Sequence, residues 1–216
     1  MNEIFLTSDL HLGHSANKQG FGGIIHHAKR PFSCIEEHDQ FIIDQWNKTV
    51  GKHDTTYILG DFAWRNHNHY IGALRGKKVL VIGSHDKMNH DSIRLFTEYH
   101  EGMLVRTLNK TPFVMTHCAM LVWERSHYGS INAHGHSHGR LEERDDIKRI
   151  DVGIDGSVYY TPWNVDFIIY KMSLKAKQEY IRTSEELDVI VQQNQANNIT
   201  LFNKWKEIKN DKQKLS

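Results

Sequence analysis

Cysteine is scarce in this chain, neither sign of charge is in surplus, and no apolar run is long. Cys34 and Cys118 are the two cysteines in 216 residues, and neither sits in a CxxC pair. They offer no disulfide framework, and a reducing, cytoplasmic setting is expected. Lys and Arg number 27 against 26 Asp and Glu, a formal net charge of +1. Such a balance gives no overall field for gripping long nucleic acid or a membrane surface, so an acidic ligand must be held locally. No stretch approaches the roughly 18 to 20 continuous apolar residues that span a bilayer. Glu3 and Asp9 interrupt the opening MNEIFLTSDL before an export signal takes shape. Internal repeats and low-complexity linkers are also missing, and the length suits one domain with a small appendage.

What is present is 16 histidines and a recurring pattern in which a short apolar run stops at small, acidic or histidine residues. Ile4-Phe5-Leu6 leads to Asp9 and His11, Tyr57-Ile58-Leu59 to Gly60-Asp61, and Val79-Leu80-Val81-Ile82 to Gly83-Ser84-His85-Asp86. Phe113-Val114-Met115 leads to His117, and Ile131 towards His134, His136 and His138. Buried strands end this way where they open into a site, because loops at the carboxyl ends of strands in α/β sheets converge on one crevice. Helices are expected between them. Ser33 and Glu36 form a capping-box pattern ahead of a helix over Ile35 to Val50, with Gly51 after it, and weaker helices are expected over Asn68 to Leu74 and Asp91 to Tyr99. Strands alternating with helices predict an α/β fold.

The composition shifts towards Lys, Gln and Asn beyond residue 170. Thr183 and Glu186 form a second capping-box pattern, and Ile199, Phe202, Trp205 and Ile208 recur at helical spacing. The expected organisation is a domain over 1–170 and a helical extension over 171–216, whose apolar stripe packs on the domain or on a second copy of the chain.

Asp9 and His11 lie two apart at a strand end, where extended geometry would put both on one face to grip one ion. Gly60 lets the chain turn tightly before Asp61. His85, His117, His136 and His138 complete an oxygen- and nitrogen-rich set suited to Mn²⁺, Fe or Zn²⁺. Cys118 follows His117 and is expected to point to the opposite face as a small core residue.

These blocks, in this order, resemble the calcineurin-like metallophosphoesterases, whose strings are D-x-H, G-D, G-N-H-D/E, a later H, and G-H-x-H. Here they read Asp9-Leu10-His11, Gly60-Asp61, Gly83-Ser84-His85-Asp86, His117 and Gly135-His136-Ser137-His138. The opening DLHLGH, Arg30-Pro31-Phe32, Gly153-Ile154-Asp155 and Tyr160-Thr161-Pro162 look like small phage or bacterial members. The resemblance implies a four-layer αββα sandwich of two mixed sheets flanked by helices. It implies two divalent cations, with Mn²⁺ favoured and Fe, Zn²⁺ or Ni²⁺ as alternatives. Asp9, His11 and His138 would hold one; His117, His136 and residue 84 the other; Asp61 would bridge them. A metal-bridging hydroxide would attack phosphorus, His85 would protonate the leaving oxygen, and Asp86 would orient His85. His14, Asn17, Arg30 and Ser84 are candidate substrate contacts. The departure is Ser84, where the family has a metal-binding asparagine; serine is shorter and a poorer neutral ligand, and weaker occupancy of the second site is expected.

The implied activity is hydrolysis of a small phosphodiester or nucleotide, with a phosphomonoester less favoured. A metallo-β-lactamase-type reading fails because H-x-H-x-D-H started at His136 meets Arg140 and Leu141, and started at His134 meets His138 and Gly139. An HD-type reading of His85-Asp86 fails because that pair follows a strand rather than lying on a helix. The alternative from another class is a metallophosphoesterase fold kept as a binding scaffold, for which Ser84 is the evidence.

Overall fold

The apolar runs become strands because alternate residues find apolar partners on both faces of a sheet. In chain order the elements are β1 (Ile4–Thr7), α1 (Gly23–Ala28), α2 (Ile35–Thr49), β2 (Thr55–Ile58), α3 (His67–Ala73), β3 (Lys77–Val81), α4 (His90–Ile93), β4 (Glu98–His100), β5 (Met103–Leu108), β6 (Thr111–Thr116), β7 (Ile131–His134), β8 (Arg149–Asp151), β9 (Trp163–Asn164) and α5 (Val165–Ser173). The structure is a computed structural model that describes residues 2–16 and 22–177, with 192–193 and 200. The Thr183 and Glu186 pattern and the stripe from Ile199 to Ile208 lie outside the described residues.

One sheet has the order β4-β3-β2-β1-β9, parallel except where β9 pairs antiparallel with β1. The other has the order β5-β6-β7-β8, antiparallel between β5 and β6 and parallel thereafter. The fold is therefore α/β with two mixed sheets flanked by helices, as expected. Leu6, Tyr57 and Val79 face Phe113, Met115 and Ile131 across the space between the sheets, joined by Val165, Ile168 and Met172 of α5. Their neighbours Phe5, Ile58 and Leu80 turn to the other face and pack on Ile42 and Trp46 of α2 and Ile71 of α3. That strict alternation is the period of two that fixes which residues see which layer. On the outer face of the second sheet, Val114, Trp123 and Ile147 form a smaller cluster.

Helix α2 presents His38, Ile42 and Trp46 to the interior at a spacing of four, with Glu36 and Glu37 at its positive end and Lys48 at its negative end, a favourable arrangement for the helix dipole. Its start differs from the expected capping box. The N-cap is Cys34, without a side-chain cap, and both the amide (2.9 Å) and the hydroxyl of Ser33 donate to Glu37 instead. The helix expected over Asp91 to Tyr99 is also cut short. Glu98, Tyr99 and His100 pair in parallel with Val79, Leu80 and Val81, so sheet pairing prevails over local helical preference. Helix α5 runs across residue 170, and the chain divides into compact units after Gln178. Among the described residues no helix is long and apolar enough to cross a membrane.

Trp46 is fully buried and its indole N–H donates to the Arg75 carbonyl at 3.0 Å. Trp46→Ala is expected to lower stability by about 3–5 kcal/mol through the cavity it leaves, read as a fall in the urea midpoint by circular dichroism.

Candidate metal centre

Five strands, β1, β2, β3, β6 and β7, release their chains at one end of the two sheets, and the candidate ligands stand in the loops that follow. Asp9, His11, Asp61, His136 and His138 all have positive φ, between 50° and 69°. Asp9 and His11 thus converge through left-handed turns beyond β1, and not by the strand alternation expected for them. Such conformations cost an L-residue about 1–2 kcal/mol each, and they persist because the surroundings hold them. Asp9 N–H donates to Gly60 O at 3.0 Å and His11 N–H to Asp61 O at 2.9 Å, stitching the two loops together. Gly60, at φ +87°, and Gly83 touch backbone to backbone. A Cβ on Gly60 would lie 2.6 Å from Gly83 Cα, and one on Gly83 2.5 Å from the Asp61 nitrogen.

Asp61 occupies the middle. Its Oδ1 accepts the His85 backbone N–H at 2.9 Å. Its Oδ2 lies 3.5 Å from His11 Nε2, 3.4 Å from His117 Nε2 and 3.9 Å from His85 Nε2. These contacts are too long to satisfy the nitrogens. His11 Nε2, His117 Nε2 and Asp9 Oδ1 are buried without a hydrogen-bond partner, which is costly unless something else fills the space between them. The other ring nitrogens are engaged: His117 Nδ1 with Leu59 O at 2.8 Å, His138 Nδ1 with Asp155 Oδ2 at 2.7 Å, and His11 Nδ1 with His14 Nδ1 at 3.3 Å. The Leu59 carbonyl and the Asp155 carboxylate each take an Nδ1–H and so leave Nε2 of His117 and His138 for a cation. Three sets of side chains bring one ligand atom each to within 4.8 Å of one another: Asp9, His11 and His138; Asp9, Asp61 and His117; and His117, Cys118 and His136. The donor set of carboxylates and imidazoles fits a divalent cation.

The electrostatics agree. Burial pushes Asp9 up to about 6 and His11 down to about 2, leaving His11 neutral, the form that ligates. Burial would also raise Asp61, but His117, the His85 amide and His11 outweigh it and hold the carboxyl below the usual range. For His117, burial acts to lower the value, yet Asp61 prevails and raises it to about 9.

Several expected roles change. Arg30 is buried and does not reach the cleft as a phosphate contact would. Its Nε and Nη2 donate to the Asp155 carboxylate at 2.7 Å each, Nη2 also to Asp9 O at 2.6 Å, and Nη1 to Leu10 O at 2.9 Å and His38 Nε2 at 2.7 Å. All five of its N–H groups are spent. His38 passes the chain of contacts to Asp39, which accepts the Tyr70 hydroxyl at 2.6 Å and the Gly13 N–H at 2.9 Å. Asp86 does not orient the His85 ring; its carboxylate accepts the amides of Asp61, Phe62 and Gly83 at 2.8–2.9 Å and so shapes the Asp61 turn. Cys118 is not a core residue. β6 ends at Thr116, strand alternation stops there, and Cys118 is exposed beside His117 and His136. Ser84 is exposed, Asn17 lies outside the described residues, and His134 is buried with Nδ1 against Gly135 O.

A cleft of about 690 Å³ opens over the cluster, with His14, Trp64, His85 and Arg140 among its walls. His14 stacks on Trp64 at 4.2 Å and an interplanar angle of 5°. Burial, with help from the His85 and His27 charges, lowers His14 to about 4. The sequence reading had missed Asp155, Trp64 and Arg140 as members of this region. Asp155 lay within a quoted family-like string, whereas Trp64 and Arg140 carried no local signal.

Fold and site together define an α/β protein of two sheets with a buried Asp/His cluster fit for divalent cations. No family model matches the chain. It is 30% identical over 189 residues to the Gene 66 protein of Mycobacterium phage L5, covering 72% of this chain and 87% of that protein. The chain belongs to the family of that phage protein. It is also 29% identical over 197 residues to the uncharacterized protein MJ1445 of Methanocaldococcus jannaschii, covering 87% of this chain and 99% of that one. Among solved structures, the protein of unknown function AQ665 from Aquifex aeolicus shares the fold, with a TM-score of 0.59, 21% identity, and coverage of 79% of this chain and all of the other.

Arg30→Ala would leave the largely buried Asp155 with the His138 imidazole as its remaining partner. The expected loss is about 3–5 kcal/mol of stability, measured by urea denaturation. Arg30→Lys should recover little of it, since an ammonium cannot reproduce the bidentate fork.

Proposed function

We propose that the chain is a dinuclear metal-dependent phosphoesterase of the calcineurin-like type, acting on a small phosphodiester or nucleotide. The observation that carries this reading is the convergence of His11 Nε2, His117 Nε2 and Asp9 Oδ1, all buried and unpartnered, around the Asp61 carboxylate. Asp9, His11 and His138 would hold one cation, and His117 and His136 the other, with Asp61 shared. When bound, the cations supply positive charge that acidifies an attacking water and neutralises the phosphoryl oxygens. The protein's own part is positional. The His85 amide is tied to Asp61 Oδ1, and its ring is half exposed in the cleft, with Nε2 3.9 Å from Asp61 Oδ2. A proton on that nitrogen can be delivered to the leaving oxygen. Arg140 adds a cation to the cleft wall, and the Trp64 ring, 46% exposed, offers an apolar face beside it. These features favour a substrate with a phosphate and a flat ring, as in a nucleotide.

The experiment is hydrolysis of an aryl phosphodiester and its monoester by metal-stripped protein, with Mn²⁺, Ni²⁺, Zn²⁺ or Mg²⁺ restored. Activity should return with metal, prefer the diester, and vanish in Asp61→Ala. His85→Ala should lower kcat by about 10²- to 10⁴-fold, the usual worth of a general acid. Ser84, exposed where an asparagine would ligate, favours a second reading as a binding scaffold. Turnover that is absent with every metal, and absent again in Ser84→Asn, would favour the scaffold. Trp64→Ala should raise KM for a nucleotide diester by about tenfold while leaving KM for a small alkyl-aryl diester nearly unchanged, since one base stack is worth roughly 1–3 kcal/mol.

A further inference from the structure

We infer that Cys118 is a thiolate ligand of the second metal position, taking over what Ser84 is too short to supply; this rests on the two-metal reading above. A ligand atom of Cys118 lies within 4.8 Å of those of His117 and His136. His117 points into the same space with a buried Nε2 that has no hydrogen-bond partner, while its Nδ1 is committed to Leu59 O at 2.8 Å. The backbone around the group is fixed. His117 O accepts the Gly135 N–H at 2.9 Å, and the Thr116 hydroxyl donates to Cys118 O at 2.7 Å. The first bond registers the loop after β6 against the loop after β7 and the second fixes the turn at Cys118, so the thiol and the His136 ring start from neighbouring positions. The His136 N–H in turn donates to Asp9 Oδ2 at 2.9 Å, linking this group to the first cation position.

The chemistry follows from the ligand types. Asp9, His11 and His138 form an oxygen and nitrogen set suited to Mn²⁺ or Fe²⁺ as well as Zn²⁺, whereas two imidazoles and a thiolate favour Zn²⁺ or Co²⁺ over Mn²⁺ and Mg²⁺. As the sulfur–metal bond forms, the Cys118 thiol gives its proton to solvent. The two positions are therefore unequal, and a softer ion is drawn to the one held by Cys118.

Cobalt titration of the metal-stripped full chain tests this without reference to turnover. Two equivalents of Co²⁺ should bind, and the one at His117, Cys118 and His136 should bring a sulfur-to-cobalt charge-transfer band in the near ultraviolet. The band should be absent in Cys118→Ser and retained in Cys34→Ser. In Cys118→Ser one equivalent should still bind at Asp9, His11 and His138, which also reports an intact fold. The other equivalent should weaken by at least the roughly 10- to 100-fold typical of losing a supporting partner, and adding Ser84→Asn should restore it. Two equivalents bound without a charge-transfer band, or a band that survives Cys118→Ser, would overturn the assignment while leaving the two-metal reading in place. Failure to bind cobalt at all would overturn both.

Discussion

The buried ion pair of Arg30 with Asp155 is the constraint on which the geometry of the site depends. A guanidinium withdrawn from water is tolerated only when its charge is paired and its donors are satisfied, and here all five N–H groups find acceptors. The acceptors come from three separate parts of the machinery. Asp155 turns the His138 ring, the Asp9 and Leu10 carbonyls belong to the loop that carries the first ligands, and His38 leads through Asp39 to Gly13. Segments far apart in sequence are thereby fixed in one frame. Burial would raise the Asp155 carboxyl, but the His138 hydrogen bond and the Arg30 pairing outweigh it and hold the group below its usual range.

A second consequence concerns strain. Five candidate ligands sit in the left-handed region, where β-carbon sterics disfavour every residue but glycine, and asparagine, aspartate and histidine are the least reluctant. No single loop would hold these conformations alone. They are held by interloop bonds such as His11 N–H to Asp61 O, by the Asp86 carboxylate under the Asp61 turn, and by the contact of Gly60 on Gly83. The unpartnered Nε2 atoms of His11 and His117 are the other half of that arrangement. Apolar packing between the sheets supplies stability, while the strained loops direct polar atoms to a point where they satisfy a cation better than each other.

Much of this was legible in the chain. Short continuous apolar runs marked β1, β2, β3 and β6, and Ile131 the start of β7, because a strand buried on both faces is apolar on both, and their abrupt ends marked the loops that bear Asp9, Asp61, His85, His117 and His136. Helix α2 was legible from its end signals, Gly51 after it and a capping-box pattern before it, although Ser33 bonds to Glu37 in place of the expected box. Less visible were β4, β5, β8 and β9, which are short or sit at sheet edges, so that pairing rather than composition makes them strands. Glu98-Tyr99-His100 shows this, extended only because Val79-Leu80-Val81 lies beside it.

For the site, the sequence by itself determined which chemistry is present: carboxylates and imidazoles at strand ends, in an order that one crevice can collect. Tertiary structure decided what each one does. Arg30 was read as a phosphate contact because it is a cation near a motif, yet a buried carboxylate 125 residues away claims its guanidinium. Asp86 adjoins His85 in the chain but bonds to backbone amides across the loop, and Cys118 leaves the core because β6 stops two residues before it. The physical reason is common to all three. Residue type sets which bonds a side chain can make, whereas the partner that claims it is set by distances of a few ångströms between segments that the linear sequence keeps far apart.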